Sequence, residues 1–117
     1  MTQPEAKPTS VYELIEQKLG VKVDFRFGEV TNVDQASVVV ARNDPGRVAL
    51  VIVNLHATQI LVLSPVRPAT TTLGIRLGPA GGSMASNWQD DLIMPALVWN
   101  GISDGDNTDV FIVEAII

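Results

Sequence analysis

The sequence predicts an all-β protein, a small antiparallel β-sandwich or barrel with one short N-terminal helix. Hydrophobic residues make up 46% of the chain but aromatic residues only 5%, so the apolar content is mostly Val, Ile, Leu and Ala. The β-branched residues among these favour pleated sheets. After residue 20, short apolar runs alternate with turn signals, the spacing typical of a sandwich or barrel. A length of 117 residues indicates one domain.

Residues 1–9 are predicted to form an extended N-terminal arm. The segment is polar and contains Pro4 and Pro8, which disfavour both helix and strand. Two interpretations stay open: a disordered tail, or an arm that becomes ordered only against a neighbouring subunit. An extended arm of this length reaches roughly 30 Å, which is enough to cross onto an adjacent copy.

Residues 10–20 are predicted to form the helix, with its helical residues at 11–19. Ser10 and Glu13 have the spacing of a capping box, and Gly20 stands where a left-handed C-terminal cap is favoured. Apolar residues recur between them at helical spacing: Val11, Leu14, Ile15 and Leu19. We expect this amphipathic helix to cover an end or an open face of the sheet.

Residues 21–117 are predicted to form the β-sandwich domain. The segment Val21–Phe27 alternates apolar and charged residues, which predicts a half-buried strand with its apolar side chains inward: Val21, Val23, Phe25 and Phe27. Ala36–Ala41 is predicted as the second strand. It is closed by a turn at Asn43–Gly46, where Pro presets φ and Gly accepts positive φ.

The run Val48–Val53 shows no alternation, which predicts a central strand covered on both faces. In a small antiparallel domain the second cover would be another subunit or the N-terminal helix. The segment Gln59–Leu63 is predicted to pair back onto this strand across the turn at residues 54–58, forming a β-hairpin.

The C-terminal half is predicted to continue with short strands and turns. The predicted elements are a strand at Thr70–Leu77 with a bulge or close backbone approach at Gly74, a loop at 78–90, an edge strand at Leu92–Trp99 containing Pro95, a hairpin turn at Asn100-Gly101, a turn at Asp104–Asn107 and a closing strand at Val110–Ile117.

The net charge of −5 argues against a nucleic-acid partner, because phosphate neutralisation needs a basic surface. All Lys and Arg residues lie between Lys7 and Arg76, and every charged residue after Arg76 is acidic. One interpretation is a solvated acidic rim. The other is that an arginine-bearing edge on one copy faces the acidic end of the next copy. That edge would consist of Arg42, Arg47, Arg67 and Arg76.

The residues specify no catalytic chemistry, and the sequence predicts a protein that is not an enzyme and has no cofactor. His56 lies in a polar turn, and no serine sits in a Gly-x-Ser-x-Gly elbow. The segment Asp104–Asp109 has carboxylates at alternate positions but lacks the EF-hand glycine and the final glutamate, so a turn is favoured over a weak calcium site. Trp88 and Trp99 are candidates for core packing, an interface anchor or sugar stacking.

The stretch from Arg47 to Gly82 carries a family resemblance. Its features are Arg47, the apolar run to Asn54, Leu63-Ser64, Gly74-Ile75, Leu77, Pro79 and Gly81-Gly82. In these features residues 36–117 resemble small β-sandwich virion structural proteins of tailed bacteriophages, of the head-decoration or tail accessory type. Residues 1–20 have no counterpart in that pattern.

The resemblance implies a non-enzymatic virion protein that is assembled in the host cytoplasm, most simply a capsid decoration or stabilisation subunit. Its expected partners are further copies of itself, as a trimer or larger assembly, and other virion proteins such as the major capsid protein, with no nucleic acid and no membrane. A tail or baseplate component and a carbohydrate-binding module using both tryptophans are the alternatives. The interface candidates are Arg47, Arg67, Arg76, Trp88, Trp99, Asp104, Asp106 and Asp109.

Overall fold

The computed structural model describes residues 7–117 and shows two four-stranded antiparallel sheets packed as a sandwich. The strands are β1 (Asp24–Val33), β2 (Val38–Ala41), β3 (Arg47–Asn54), β4 (Leu61–Pro65), β5 (Ile75–Leu77), β6 (Ser83–Asn87), β7 (Trp99–Ser103) and β8 (Thr108–Ile116). The helices are α1 (Val11–Leu19), the single turn α2 (Trp88–Asp91) and a 3₁₀ turn at Met94–Ala96. The predicted all-β class is confirmed.

Sheet A has the strand order β1-β8-β3-β6, and sheet B has the order β2-β7-β4-β5. The predicted central position of this strand is confirmed, because β3 lies between β8 and β6, but its predicted cover on both faces is not complete, since Ala49, Val51 and Val53 are only partly buried. The final strand β8 is also confirmed and lies between β1 and β3. The turn at residues 104–107 carries the chain from β7 in one sheet to β8 in the other.

The hydrophobic core fills the space between the two sheets. Its members are fully or nearly fully buried apolar side chains from both sheets: Val33, Val40, Ala41, Leu50, Ile52, Leu61, Leu63, Leu77, Trp99, Val110 and Ile112. Each buried aliphatic side chain contributes about 1.5–3 kcal/mol to folding, so this layer is the main source of stability.

Helix α1 forms as the sequence predicts. Ser10 Oγ accepts a hydrogen bond from the Glu13 backbone N–H at 3.2 Å, and Gly20 adopts the left-handed conformation with φ of 74°. The helix contains no buried residue. Residues 1–6 of the predicted arm lie outside the described residues. No helix in the described part is long and apolar enough to cross a membrane.

The prediction for the first strand is wrong in its start and in its buried face. The strand begins at Asp24, and of the four residues expected inward only Val23 is buried. Val21, Phe25 and Phe27 are 44%, 49% and 68% exposed. A two-residue period specifies two faces but not which face meets the core.

The predicted hairpin between Val48–Val53 and Gln59–Leu63 is also wrong. The chain crosses from sheet A to sheet B after Asn54, and β4 pairs with β5 and β7 instead of β3. Gly74 does mark a close backbone approach, because a Cβ there would lie 2.5 Å from the Leu63 carbonyl oxygen.

Three predictions between residues 78 and 101 are wrong. The segment predicted as a loop contains the edge strand β6, and the segment predicted as an edge strand contains the 3₁₀ turn with Pro95 near its start. Asn100-Gly101 is not a turn, because both residues lie within β7 at the centre of sheet B. Gly101 is needed there, since a Cβ would lie 2.6 Å from the Val40 side chain.

Asn54, the last residue of β3, holds the crossover between the sheets. Its Nδ2 donates to the backbone oxygens of Gln59, Leu77 and Gly78 at 2.9, 3.2 and 3.1 Å. Its Oδ1 accepts from the His56 backbone N–H at 3.0 Å. A fully buried amide therefore satisfies backbone groups on two segments, residues 56–59 and 77–78.

We expect Asn54→Ala to lower the free energy of unfolding by about 3 kcal/mol, because buried carbonyl oxygens lose their donor. Urea denaturation would measure the loss. The control is Asn43→Ala at an exposed position, which should change stability by less than about 0.5 kcal/mol. Equal effects of the two substitutions would contradict the role assigned to the buried amide.

Candidate interaction surface

The outer face of sheet A is apolar where antiparallel sheets commonly present polar residues to solvent. Between the register shifts near Val33 and Arg47, the odd-numbered residues 25–29 of β1, 49–53 of β3 and 109–115 of β8 lie side by side on this face. We define the outer face by its apolar members: Phe25, Phe27, Ala49, Val51, Val53, Ala85, Phe111, Val113 and Ala115.

Three phenylalanines dominate the outer face. Phe25, Phe27 and Phe111 are 49%, 68% and 36% exposed. The rings of Phe27 and Phe111 stack with centroids 6.3 Å apart. With about 200 Å² per phenylalanine side chain, the three rings expose roughly 300 Å² to solvent. The largest apolar patch on a typical monomer has about this size and is often functional.

Helix α1 lies over one end of the outer face without closing it. Tyr12 meets Phe25 edge to face with ring centroids 6.2 Å apart. A groove of about 390 Å³ remains between helix and sheet, bordered by Leu14, Ile15, Lys18, Leu19, Val23, Phe25, Val48, Ala49, Asn87, Trp88, Gln89 and Ala115. The helix is the cover expected from the sequence, but it covers only this end.

The end of the outer face under α1 carries charges of both signs, since α1 and the start of β1 also contribute acidic residues, and the opposite end is acidic. At the end under α1, Lys18 borders the groove and Lys22 lies exposed in the connection to β1. At the opposite end, Glu29 lies beside Phe111 in the register, and Asp109 precedes Phe111 on the same side of β8. Among the described residues, none of these four side chains forms a salt bridge.

A buried guanidinium supports sheet A from the core side. Arg47 is 2% exposed, and its Nε and Nη2 donate to the backbone oxygens of Pro95 and Leu97 at 2.6 and 2.7 Å. Its Nη1 lies 3.3 Å from Glu114 Oε1. Arg26 donates to the second oxygen of Glu114, which joins β1, β3 and β8 in one charged network. Burial lowers the pKa of Arg47, against the opposing effect of Glu114.

Asp44 extends this network to the turn that precedes β3. Arg26 Nη2 donates to Asp44 Oδ2 at 2.9 Å, and the Gly46 backbone N–H donates to Asp44 Oδ1 at 3.0 Å. The hydrogen bond from Arg26 is the main cause that lowers the pKa of Asp44, and the hydrogen bond from Gly46 lowers it further. The predicted turn at Asn43–Gly46 is thus confirmed and is tied to β1 by an ion pair.

Two of the predicted interface residues are not accessible. Arg47 lies in the buried network just described. Trp99 is 1% exposed, and its indole N–H donates to the Met94 backbone oxygen at 3.1 Å. The core-packing alternative is therefore correct for Trp99. Trp88 is 43% exposed and borders the groove, so the proposed sugar platform of two tryptophans is wrong.

The predicted arginine edge is also wrong, since its members do not share one edge. Arg47 is internal, Arg42 follows the edge strand β2, and Arg76 lies in β5 at the opposite edge of sheet B. Arg67 is exposed in the connection between β4 and β5. The four arginines were grouped because all basic residues lie in the first 76 positions of the sequence. In the structure, the strand order of sheet B separates them.

The acidic candidates separate into two groups. Asp104 and Asp106 are exposed in the turn between β7 and β8, where Asp104 Oδ1 accepts from the Ile60 backbone N–H at 2.9 Å. Asp109 belongs to the charged end of the outer face. Within residues 7–117 no group of three or more His, Cys, Asp or Glu side chains could hold a metal ion.

His56 acts as a turn residue. Its Nδ1 accepts hydrogen bonds from the backbone N–H groups of Thr58 and Gln59 at 3.1 and 3.0 Å. The Thr58 hydroxyl lies 3.5 Å from the same nitrogen, so the ring satisfies polar groups of the crossover to sheet B.

The sequence interpretation missed Phe25, Phe27 and Phe111 as surface residues. One sequence feature indicated an apolar outer face on β3, namely that apolar and polar residues do not alternate in Val48–Val53. It did not indicate which residues of the adjacent strands share that face. Comparison of the chain with protein-family models, with curated proteins and with solved structures gives no match.

We expect Arg47→Met to lower the free energy of unfolding by about 3–5 kcal/mol, because Glu114 and two backbone oxygens lose a buried donor. Urea denaturation would measure the change. The control is Arg67→Met at an exposed position, with an expected change below about 0.5 kcal/mol. A small effect of Arg47→Met would show that the network adds little to stability.

The lowered pKa of Asp44 predicts a pH-dependent contribution to stability. Since the pKa is lower in the folded state, the contribution is complete above the unfolded value of about 4 and is lost as pH falls through the folded value. Asp44→Asn should therefore lower the Tm at about pH 6, and its difference from wild type should shrink below about pH 4.

The control for this pH series is Asp106→Asn, an exposed carboxylate without a hydrogen-bond partner among the described contacts. Its Tm should follow the wild-type curve throughout. A difference between Asp44→Asn and wild type that stays constant down to about pH 2.5 would contradict the assigned ion pair.

Proposed function

We propose that the chain is a non-enzymatic virion structural protein of a tailed bacteriophage, a decoration or stabilisation subunit that binds the outer capsid shell as an oligomer. The apolar outer face of sheet A carries this proposal. A protein that works by association needs such a surface, and the largest apolar patch on a protein is often functional.

The family resemblance supports the same function. The features that carry it include Arg47 and Asn54, which stand at the two ends of β3 and hold the sandwich together from inside. A rigid small sandwich with polar clamps in its core is suited to a structural role.

The accessible candidates provide further surfaces for contact with a shell protein. Trp88 is exposed beside the groove, and the following residues Leu92 and Ile93 are 77% and 66% exposed. Leu92 is held at a positive φ of 59°. Tryptophan is enriched among the interface residues that contribute most to binding, so Trp88 with these apolar neighbours is a candidate contact.

The test is detection of the chain in purified particles. We expect mass spectrometry to detect the chain in purified particles of the tailed phage that encodes it. When heads are separated from tails, the chain should be recovered with the heads. Recovery with the tails alone would support a tail or baseplate component instead. Absence from particles, together with sugar binding that is lost in Trp88→Ala, would overturn the proposal in favour of a carbohydrate-binding module.

A further inference from the structure

We propose that the open edge of β1 binds an extended peptide segment of a partner protein. The segment adds to sheet A as a fifth, antiparallel strand and places an apolar side chain in a pocket beside Gly28. This site is the edge of sheet A, whereas the proposed function is carried by the outer face of the sheet. Each of the two can therefore hold or fail without the other.

β1 presents the longest open edge of the sandwich. Among the described residues the edge strands are β1, β2, β5 and β6, and they contain ten, four, three and five residues. β1 pairs with β8 in unbroken register from Asp24 to Val30, and no described strand pairs with its other side. The backbone N–H and C=O groups along such an edge are matched by another extended backbone.

The basic side chain that could protect this edge is paired within the protein. Proteins protect long edges from unwanted pairing with charged residues, proline or bulges. β1 contains no proline, and its register shift lies beyond Val30. Arg26 lies in the regular part of the edge, but its guanidinium is paired with Asp44 and Glu114. The regular part of the edge is therefore available to a further strand.

A pocket opens beside the edge because residue 28 is glycine. Gly28 is paired with the core residue Ile112, so a side chain at position 28 would lie between the two sheets. A Cβ at Gly28 would meet one atom within 4 Å, the Ile112 Cβ at 3.9 Å. The pocket has a volume of about 440 Å³, and its buried apolar residues are Val40, Ala41 and Ile112. Glycine inside a strand often marks the close approach of another backbone or of a ligand.

The residues of β1 specify the chemistry of the incoming strand. Every pairing in sheet A is antiparallel, which sets the direction of the strand. Its residue opposite Gly28 is apolar and enters the pocket, and its residue opposite Phe27 on the outer face is also apolar. Its residue opposite Glu29 is basic, because Glu29 forms no salt bridge among the described residues. In strand addition the main-chain pairing gives affinity and the side-chain pocket gives specificity.

The first experiment uses synthetic peptides of the sequence Ser-Thr-Lys-X-Val-Thr-Val. In the antiparallel register X, Lys and Val stand opposite Gly28, Glu29 and Phe27. Fluorescence anisotropy of the labelled peptide with X = Leu should give a dissociation constant below about 1 mM. The peptide with X = Gly should bind about tenfold more weakly, because the pocket stays empty.

The backbone contact is tested by N-methylation of the peptide with X = Leu. Alternate N–H groups of a strand point to the same neighbouring strand, so one peptide is methylated at odd positions and a second at even positions. One of the two should lose binding and the other should keep it. Equal binding of both would show that the pocket captures an apolar side chain without strand pairing, which overturns the proposal.

Two variants test the residues of β1. Gly28→Val should raise the dissociation constant about tenfold or more by filling the pocket. Its Tm should equal or exceed that of the wild type, because φ at residue 28 is not left-handed and no atom opposes the new side chain closely. Glu29→Lys should weaken binding several-fold, and replacing the Lys of the peptide by Glu should restore it. The control Leu73→Asp, at a site 75% exposed outside sheet A, should bind as the wild type does.

Several results would overturn the proposal. They are binding of every peptide weaker than about 1 mM, equal binding of the peptides with X = Leu and X = Gly, and a Gly28→Val variant that keeps wild-type affinity. Self-association of the free protein that the peptide with X = Leu disrupts would identify a second copy, not a partner protein, as the occupant of the edge.

Discussion

The buried guanidinium of Arg47 is the interaction on which the arrangement of the two sheets depends. A charge without water must be paired and hydrogen-bonded, and Arg47 finds its partners on Glu114 and on the backbone of Pro95 and Leu97. These groups belong to β8 and to the segment that leads into β7 of the other sheet. Three segments of the chain must therefore be in contact before the Arg47 guanidinium has all of its hydrogen-bond partners.

Asn54 performs the corresponding role at the other end of the same strand. β3 thus begins with a guanidinium and ends with an amide, and each is bonded to backbone oxygens outside β3. The spacing of an arginine, an apolar run and an asparagine has a physical basis here. The two polar residues hold the two sheets together at opposite ends of β3, and Leu50 and Ile52 from the apolar run between them lie in the core.

The clamps also explain why sheet A can present an apolar outer face. Since the core and its polar ends hold the sandwich together, the fold does not need the odd-numbered residues of β3 and β8 to be covered. Their Val and Phe side chains remain available for a partner, and α1 covers only the end near Phe25. The chain contains three phenylalanines in total, and all three lie on this one face.

Local interactions were predictable from the sequence, and pairings between distant segments were not. Helix α1 and the turn at Asn43–Gly46 follow from caps and turn residues that act within a few positions. The crossover after Asn54 depends instead on acceptors up to 24 residues away. The signal at Asn100-Gly101 was overridden, because Val40 and its neighbours on β2 require a glycine inside β7.

The all-β class, the helix and its caps, the central position of β3 and the closing strand β8 follow from the amino-acid sequence. The outward-facing residues of β1, the sheet that receives β4, and the internal positions of Arg47 and Trp99 depend on how distant segments pack in the folded chain. The physical reason is that alternation along a strand is the same for either face, and the choice between the faces depends on contacts with strands remote in the chain.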